Sequence, residues 1–215
     1  MARGADRRAH GAALRRVRAA LGLLALLTAA PAAAHHTGVY TPKDNAISAN
    51  FKQIKFAVQA GKFDVALRLF DEGALRAEMR ARAAALPADL EATTRAAVVA
   101  RDAAGVERGL MLFFAALARD LAREAERQLA AGVAAASAGP RFLEAIWRYY
   151  NLVDFAVGQR DARASVAMRL AYDEAEGLVR GAAAPDPAQL RASFSRIAQI
   201  LSTLIDASRT ARREP

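Results

Sequence analysis

The fold class of this protein is indicated most clearly by the segment Gly109-Leu-Met-Leu-Phe-Phe-Ala-Ala-Leu-Ala118. It carries no charged side chain, so a helix over this range is apolar on every face. Such a helix has to be covered on every side, which predicts a central and buried position for it. The rest of the chain is rich in Ala, Leu, Arg and Glu and contains no alternating apolar segment bounded by turn residues. These features favour helix over strand throughout.

Apolar residues recur at helical spacing on both sides of this stretch, and most of the segments end near a glycine or a proline. The segments predicted to be helical are 46–60, 63–86, 87–104, 106–129, 140–157, 161–180 and 187–206. We therefore predict an all-α fold, an up-and-down bundle of about six or seven helices, as one domain over 46–206. The small-residue stretches 130–140 and 181–187 are predicted to be flexible linkers, and the first would separate two helical-hairpin groups.

The first 34 residues have the composition of a secretory signal peptide. An Arg-rich start precedes an uncharged run from Ala19, and Pro31 is followed by the small residues 32–34. The uncharged part ends at Ala34 and is shorter than the roughly 20 residues that a membrane-spanning helix needs. These features favour cleavage of residues 1–34 over a permanent membrane anchor.

Cleavage at this point predicts a periplasmic protein that meets the membrane only transiently, during export. The mature chain would begin with an N-terminal arm over 35–45 and end in a disordered basic tail over 207–215. The formal net charge of +9 fits this organisation, because six arginines and one aspartate lie in the first eighteen residues. Since the folded region is close to neutral and the protein is exported, we expect no nucleic-acid partner.

The composition leaves few routes to catalysis. The chain has no cysteine, which excludes disulfides, thiolate nucleophiles and sites that need Cys ligands. Its three histidines are His10, His35 and His36, so the helical domain cannot form a Ser-His-Asp triad or a Glu-x-x-His metal site. No glycine-rich phosphate loop is present either. We therefore expect a protein that is not an enzyme and that holds no cofactor, with copper as the one exception.

The copper hypothesis depends on the predicted cleavage position. Cleavage after Ala34 makes His35 the N-terminal residue, followed at once by His36. A free α-amine beside an imidazole chelates Cu(II), and the backbone amide of the second residue can join it. The alternative function is thus a metal-handling accessory protein that binds copper through these two residues. The interpretation that we favour is simpler, with both histidines as polar residues on the mobile N-terminal arm.

The densest aromatic stretch lies on the predicted helix 141–157. Trp147, Tyr150 and Asp154 share the edge between its apolar stripe and its polar stripe. An amphipathic aromatic edge with a carboxylate can line a ligand cleft or a partner interface. Two apolar residues, Leu152 and Phe155, fall on the nominally polar side, so the helix has more apolar surface than one neighbouring helix would cover.

These observations give the leading hypothesis, a non-enzymatic exported binding or interaction protein. Its partner would be another exported or membrane protein, or a small ligand, contacted through the helix 141–157. Trp147, Tyr150 and Asp154 are the predicted contact residues. The alternative is that this helix packs between two others and that Trp147 and Tyr150 belong to the edge of the core.

The lysines form a second cluster, because all four lie within twenty residues and alternate with three phenylalanines. They are Lys43, Lys52, Lys55 and Lys62, and the phenylalanines are Phe51, Phe56 and Phe63. Basic residues mixed with aromatic residues are typical of surfaces that bind nucleic acid or anionic lipid. Since Phe51 belongs to the apolar stripe of its helix and the protein is predicted to be exported, we favour a solvated helix face instead.

Overall fold

A computed structural model describes residues 43–181 and 185–210, without the side chains of residues 209 and 210. Within these ranges the regular elements are eight α-helices and one short 3-10 helix, which confirms the predicted all-α class. The α-helices are α1 (Ala46–Gln59), α2 (Phe63–Glu72), α3 (Ala74–Ala81), α4 (Leu90–Val99), α5 (Ala103–Ala130), α6 (Ala135–Arg160), α7 (Ala162–Gly181) and α8 (Pro187–Thr210). None of the described helices is both long and apolar enough to cross a membrane.

The four long helices form an up-and-down bundle. Helix α5 packs against α6 and α8, and α7 packs against the same two helices from the opposite side. Gly109 to Ala118 lie in α5 and all ten residues are buried, as the apolar stretch predicts. They are covered on every side because the short helices α1 and α4 also pack on α5.

The short helices α1 to α4 form the second group of the bundle. The sequence predicts one helix over 63–86, but the structure divides it at Gly73 into α2 and α3. The buried side chain of Asn50 occupies this break. Its Nδ2 donates to the carbonyl oxygen of Leu69 at 2.9 Å, and its Oδ1 accepts from the backbone N–H of Leu75 at 3.1 Å. The amide thus replaces helical hydrogen bonds that the break removes.

The prediction of a flexible linker over 130–140 is wrong for residues 135–140, which are helical. Helix α5 ends at Ala130 and α6 begins at Ala135, with Pro140 inside it. The small residues serve close packing rather than flexibility, since a Cβ atom at Gly139 would lie 2.7 Å from Cγ2 of Val179. The chain passes from the group α1 to α4 to the group α5 to α8 at the short connection between α4 and α5, and not at the predicted linker.

The remaining predicted boundaries differ by a few residues. The linker predicted over 181–187 falls between α7 and α8, and its residues 182–184 lie outside the described ranges. Helix α8 continues to Thr210, beyond the predicted start of the tail at 207. At the other end, Asn45 is the N-cap of α1, because its side chain accepts from the backbone N–H of Ser48 at 2.9 Å.

The contact between α4 and α5 gives a first testable prediction. A Cβ atom at Gly109 would lie 2.2 Å from Oγ1 of Thr94, which donates to the carbonyl oxygen of Leu90 at 2.7 Å and is thereby held in place. We expect Gly109→Ala to lower the free energy of unfolding by about 1–3 kcal/mol through overpacking. Urea unfolding followed by circular dichroism measures this change.

The control is the double variant Gly109→Ala with Thr94→Ala, which removes the obstructing hydroxyl. We expect it to recover most of the loss relative to Thr94→Ala alone, because alanine favours a helix over glycine by about 1 kcal/mol. Additive effects of the two substitutions would contradict direct contact between these residues.

Candidate functional site

The predicted contact residues lie together where α6 packs against α7. The indole ring of Trp147 stacks in a tilted arrangement on Tyr172 of α7, with ring centroids 4.9 Å apart. Its centroid is 6.3 Å from that of Tyr150. Trp147 is half-buried, whereas Tyr150 and Asp154 are buried. The structure thus brings the three residues onto one seam, and that seam faces the neighbouring helix.

Asp154 is the centre of a polar group in this seam. The Ser165 hydroxyl donates to its Oδ1 at 3.0 Å, and Nε of Arg169 donates to the same oxygen at 3.3 Å. A second guanidinium nitrogen of Arg169 donates to Oδ2. The hydrogen bond that Arg169 donates to Asp154, followed by the negative charge of Asp154, raises the pKa of the Arg169 guanidinium. The carboxylate is therefore satisfied within the protein and holds α6 to α7.

Tyr150 has an exposed fraction of 0% and is among the largest fully buried side chains. Burial, followed by the negative charge of Asp154, raises the pKa of its phenol well above the usual value. The hydroxyl is buried near Asp154 and Ser165 and makes no well-formed hydrogen bond with a described residue. Tyr150 therefore offers no surface to a partner in this arrangement, and partner binding by Trp147, Tyr150 and Asp154 stays a prediction.

The predicted copper ligands, His35 and His36, lie outside the described residues, so their role also stays a prediction. Over 43–181 and 185–210, no group of three or more His, Cys, Asp or Glu side chains is placed to hold a metal ion.

A cleft of about 400 Å³ opens on a different side of α6. Its walls come from the C-terminal half of α1, the first two turns of α5 and the C-terminal half of α6. The lining residues are Phe51, Lys55, Val58, Gln59, Ala103, Ala104, Val106, Glu107, Leu110, Leu152, Val153 and Ala156. Most of them are apolar, and the polar groups are confined to one lysine, one glutamine and one glutamate. This composition and size are typical of small-molecule sites.

Two large apolar side chains are exposed at positions adjacent in sequence to residues that line the cleft. Phe56 is 67% exposed and follows the lining residue Lys55 on α1. Phe155 is 71% exposed and precedes the lining residue Ala156 on α6. Both rings therefore remain in contact with solvent in the described structure.

A larger cavity of about 500 Å³ lies between α4 and α5 and reaches Ser208 of α8. Its lining includes Asp102, which already serves as the N-cap of α5 and accepts from the backbone N–H of Gly105 at 2.9 Å. It has no contribution from the aromatic helix α6. The cleft between α1, α5 and α6 is therefore the better candidate for a binding site that involves the aromatic helix.

Two features of the sequence pointed to this cleft, although neither was among the predicted contact residues. Leu152, part of the apolar excess on the helix 141–157, lines the cleft. The lysine cluster contributes Lys55, whose ammonium lies 5.9 Å from the ring centroid of Phe51. Neither feature indicates that α5 forms the third wall of the cleft, because the first turns of α5 are far from Leu152 and Lys55 in sequence.

Comparisons with protein-family models, curated proteins and solved structures found no match.

Proposed function

We propose that this chain is an exported, non-enzymatic binding protein that holds a small ligand with an apolar body in the cleft between α1, α5 and α6. The observation that carries the proposal is the cleft itself, about 400 Å³ in volume and lined mainly by apolar side chains. Helix α6 contributes Leu152, Val153 and Ala156 to the cleft. The helix 141–157 thus still forms part of the binding site, but with a different face from the one that carries Trp147, Tyr150 and Asp154.

The polar side chains of the cleft favour binding over catalysis. Lys55, Gln59 and Glu107 form no hydrogen bond with one another in the described part of the chain, so no nucleophile is paired with a base there. The exposed rings of Phe56 and Phe155 extend the apolar surface beyond the cleft. An exported or membrane protein that receives the ligand would contact this rim.

Filling the cleft tests the proposal. Ala156 lines the cleft and is half-buried, so Ala156→Phe places a ring in the space that a ligand would occupy. We expect this variant to bind the neutral fluorescent dye N-phenyl-1-naphthylamine about tenfold more weakly than the unchanged protein. Titration of protein purified after expression of the full chain, followed by dye fluorescence, measures the change.

The matched control is Ala136→Phe, the same substitution at an exposed position of α6 away from the cleft. It should bind the dye within about twofold of the unchanged protein. Equal dye binding by both variants would reject the cleft as the site. Native mass spectrometry of the same sample tests whether the chain is cleaved for export, in which case its mass should correspond to a chain that begins at His35. The same spectrum detects any ligand that copurifies.

A further inference from the structure

The cleft adjoins a second, more polar hollow of about 250 Å³, which we term the recess. The recess continues along α5 and α6 toward the C-terminal end of α6. It shares Ala104, Glu107 and Ala156 with the cleft, and its other lining residues are Arg108, Met111, Gln159 and Arg160. A ligand longer than the cleft would therefore extend past Ala156 into a space with two guanidinium groups.

Arg108 contains a buried donor without an acceptor. Its Nε has almost no exposed surface and no hydrogen-bond partner among the described residues. Leaving a buried donor unsatisfied is unfavourable, and the cost rises when the group is charged. Arg108 also lines the recess, so an anionic group bound there would lie close to a cation that has no carboxylate partner in the described chain.

The ion pairs of the described chain also favour an anionic ligand at this site. Many arginines of the described chain are paired with carboxylates, as Arg95 is with Asp71 and Arg148 with Glu144, although some exposed ones, such as Arg191, are not. Within the described ranges, the cations Lys55, Arg108 and Arg160 have no carboxylate within salt-bridge distance. One carboxylate, Glu107, lines both the cleft and the recess and likewise has no cationic partner there. Three cations against one acid leave the site positive, which is complementary to an anion.

We propose that the cleft and the recess together bind a free anionic amphiphile, a molecule with one aliphatic chain and a carboxylate head group. The chain occupies the apolar cleft, and the head group accepts hydrogen bonds from Arg108 and Arg160. This inference rests on the proposed function, and it adds the chemical class of the ligand. The ligand binds as a monomer, because its chain has to enter the cleft between α1, α5 and α6, which a molecule held in a flat bilayer does not do.

Competition between ligands that differ only in the head group tests the inference. Decanoate, decanol and decyltrimethylammonium are each used to displace N-phenyl-1-naphthylamine from the purified protein. We expect decanoate to displace the dye at about tenfold lower concentration than either of the other two. Arg108→Gln and Arg160→Gln should each weaken decanoate about tenfold and leave the affinity for the neutral dye within about twofold.

Two further variants separate the recess from general effects of charge and folding. Arg191→Gln removes the same charge from an exposed position of α8 and should leave decanoate binding within about twofold. Glu107→Gln removes the one acid of the site and should strengthen decanoate binding about threefold or more. A gain in affinity cannot result from loss of folding, so this variant keeps the test informative if an arginine variant is unstable.

The outcomes distinguish this inference from the proposed function. Failure of the dye to bind would reject both. Dye binding without a preference for decanoate over decanol, or decanoate binding unchanged by Arg108→Gln and Arg160→Gln, would overturn the inference and leave the proposed function standing. Flotation with phosphatidylglycerol vesicles completes the test, because binding to vesicles without displacement of the dye by monomeric decanoate would also overturn it.

Discussion

Tyr150→Ala is expected to lower the free energy of unfolding by about 3–5 kcal/mol. The side chain has no exposed surface and packs in the seam between α6 and α7, beside Trp147. Its removal leaves a cavity the size of a phenol ring, which a packed bundle closes only partly. Urea unfolding monitored by circular dichroism gives the change directly, provided that the transition has one step.

The control is Tyr150→Phe, which keeps the ring and removes the hydroxyl. Since that hydroxyl makes no well-formed hydrogen bond with a described residue, we expect a change of less than about 1 kcal/mol. Retention of full stability by Tyr150→Ala would show that the side chain is exposed and would return it to the predicted contact surface.

The raised pKa of Tyr150 adds a pH-dependent signature to the same comparison. The folded state holds the phenol proton more tightly than the unfolded state, whose phenol has the usual pKa of 10.0. The unfolded state therefore loses its proton first as the pH rises, and stability that is fully present below pH 10 falls above it. In Tyr150→Phe this part of the alkaline loss should be absent, which unfolding curves at pH 9 and pH 11 would reveal.

The second large effect is expected at Asn50, and we predict that Asn50→Leu costs about 2–4 kcal/mol. Leucine has a similar volume but satisfies neither the carbonyl oxygen of Leu69 nor the backbone N–H of Leu75. Both groups lie at the break between α2 and α3, where no helical partner replaces the amide. Each unsatisfied buried group costs about 1–3 kcal/mol, measured again by urea unfolding.

Asn151→Leu is the matched control for this substitution, because Asn151 is exposed on α6. We expect it to change the free energy of unfolding by less than about 0.5 kcal/mol. Equal effects of the two leucine substitutions would mean that Asn50 does not hold the break between α2 and α3, and that Gly73 alone determines it.

The buried seam and the cleft lie on two flanks of the same helix, α6. Sequence periodicity places Trp147, Tyr150 and Asp154 at an edge of the helix that a ligand or a neighbouring helix could equally cover. Helix α7 covers it, with Ser165 and Arg169 meeting Asp154. The opposite flank, with Leu152 and Ala156, is the one that opens on a cleft.

The helical class and the central position of Gly109 to Ala118 could be predicted from the amino-acid sequence, because helix propensity and apolar periodicity are local properties that extend over a few turns. It also indicated, through Leu152 and Phe155, that the aromatic helix has more apolar surface than one neighbour covers.

The other features follow from the packing of the helices against one another. Three kinds of feature depended on it: the helix break held by Asn50, the helical start of α6 within a stretch that resembles a linker, and the cleft built from α1, α5 and α6. Each arises from contacts between residues far apart in the chain, and the pattern of a single helix does not contain them. Which flank of a helix is buried and which is open follows from where its neighbours pack, and that is settled by the fit of all eight helices together.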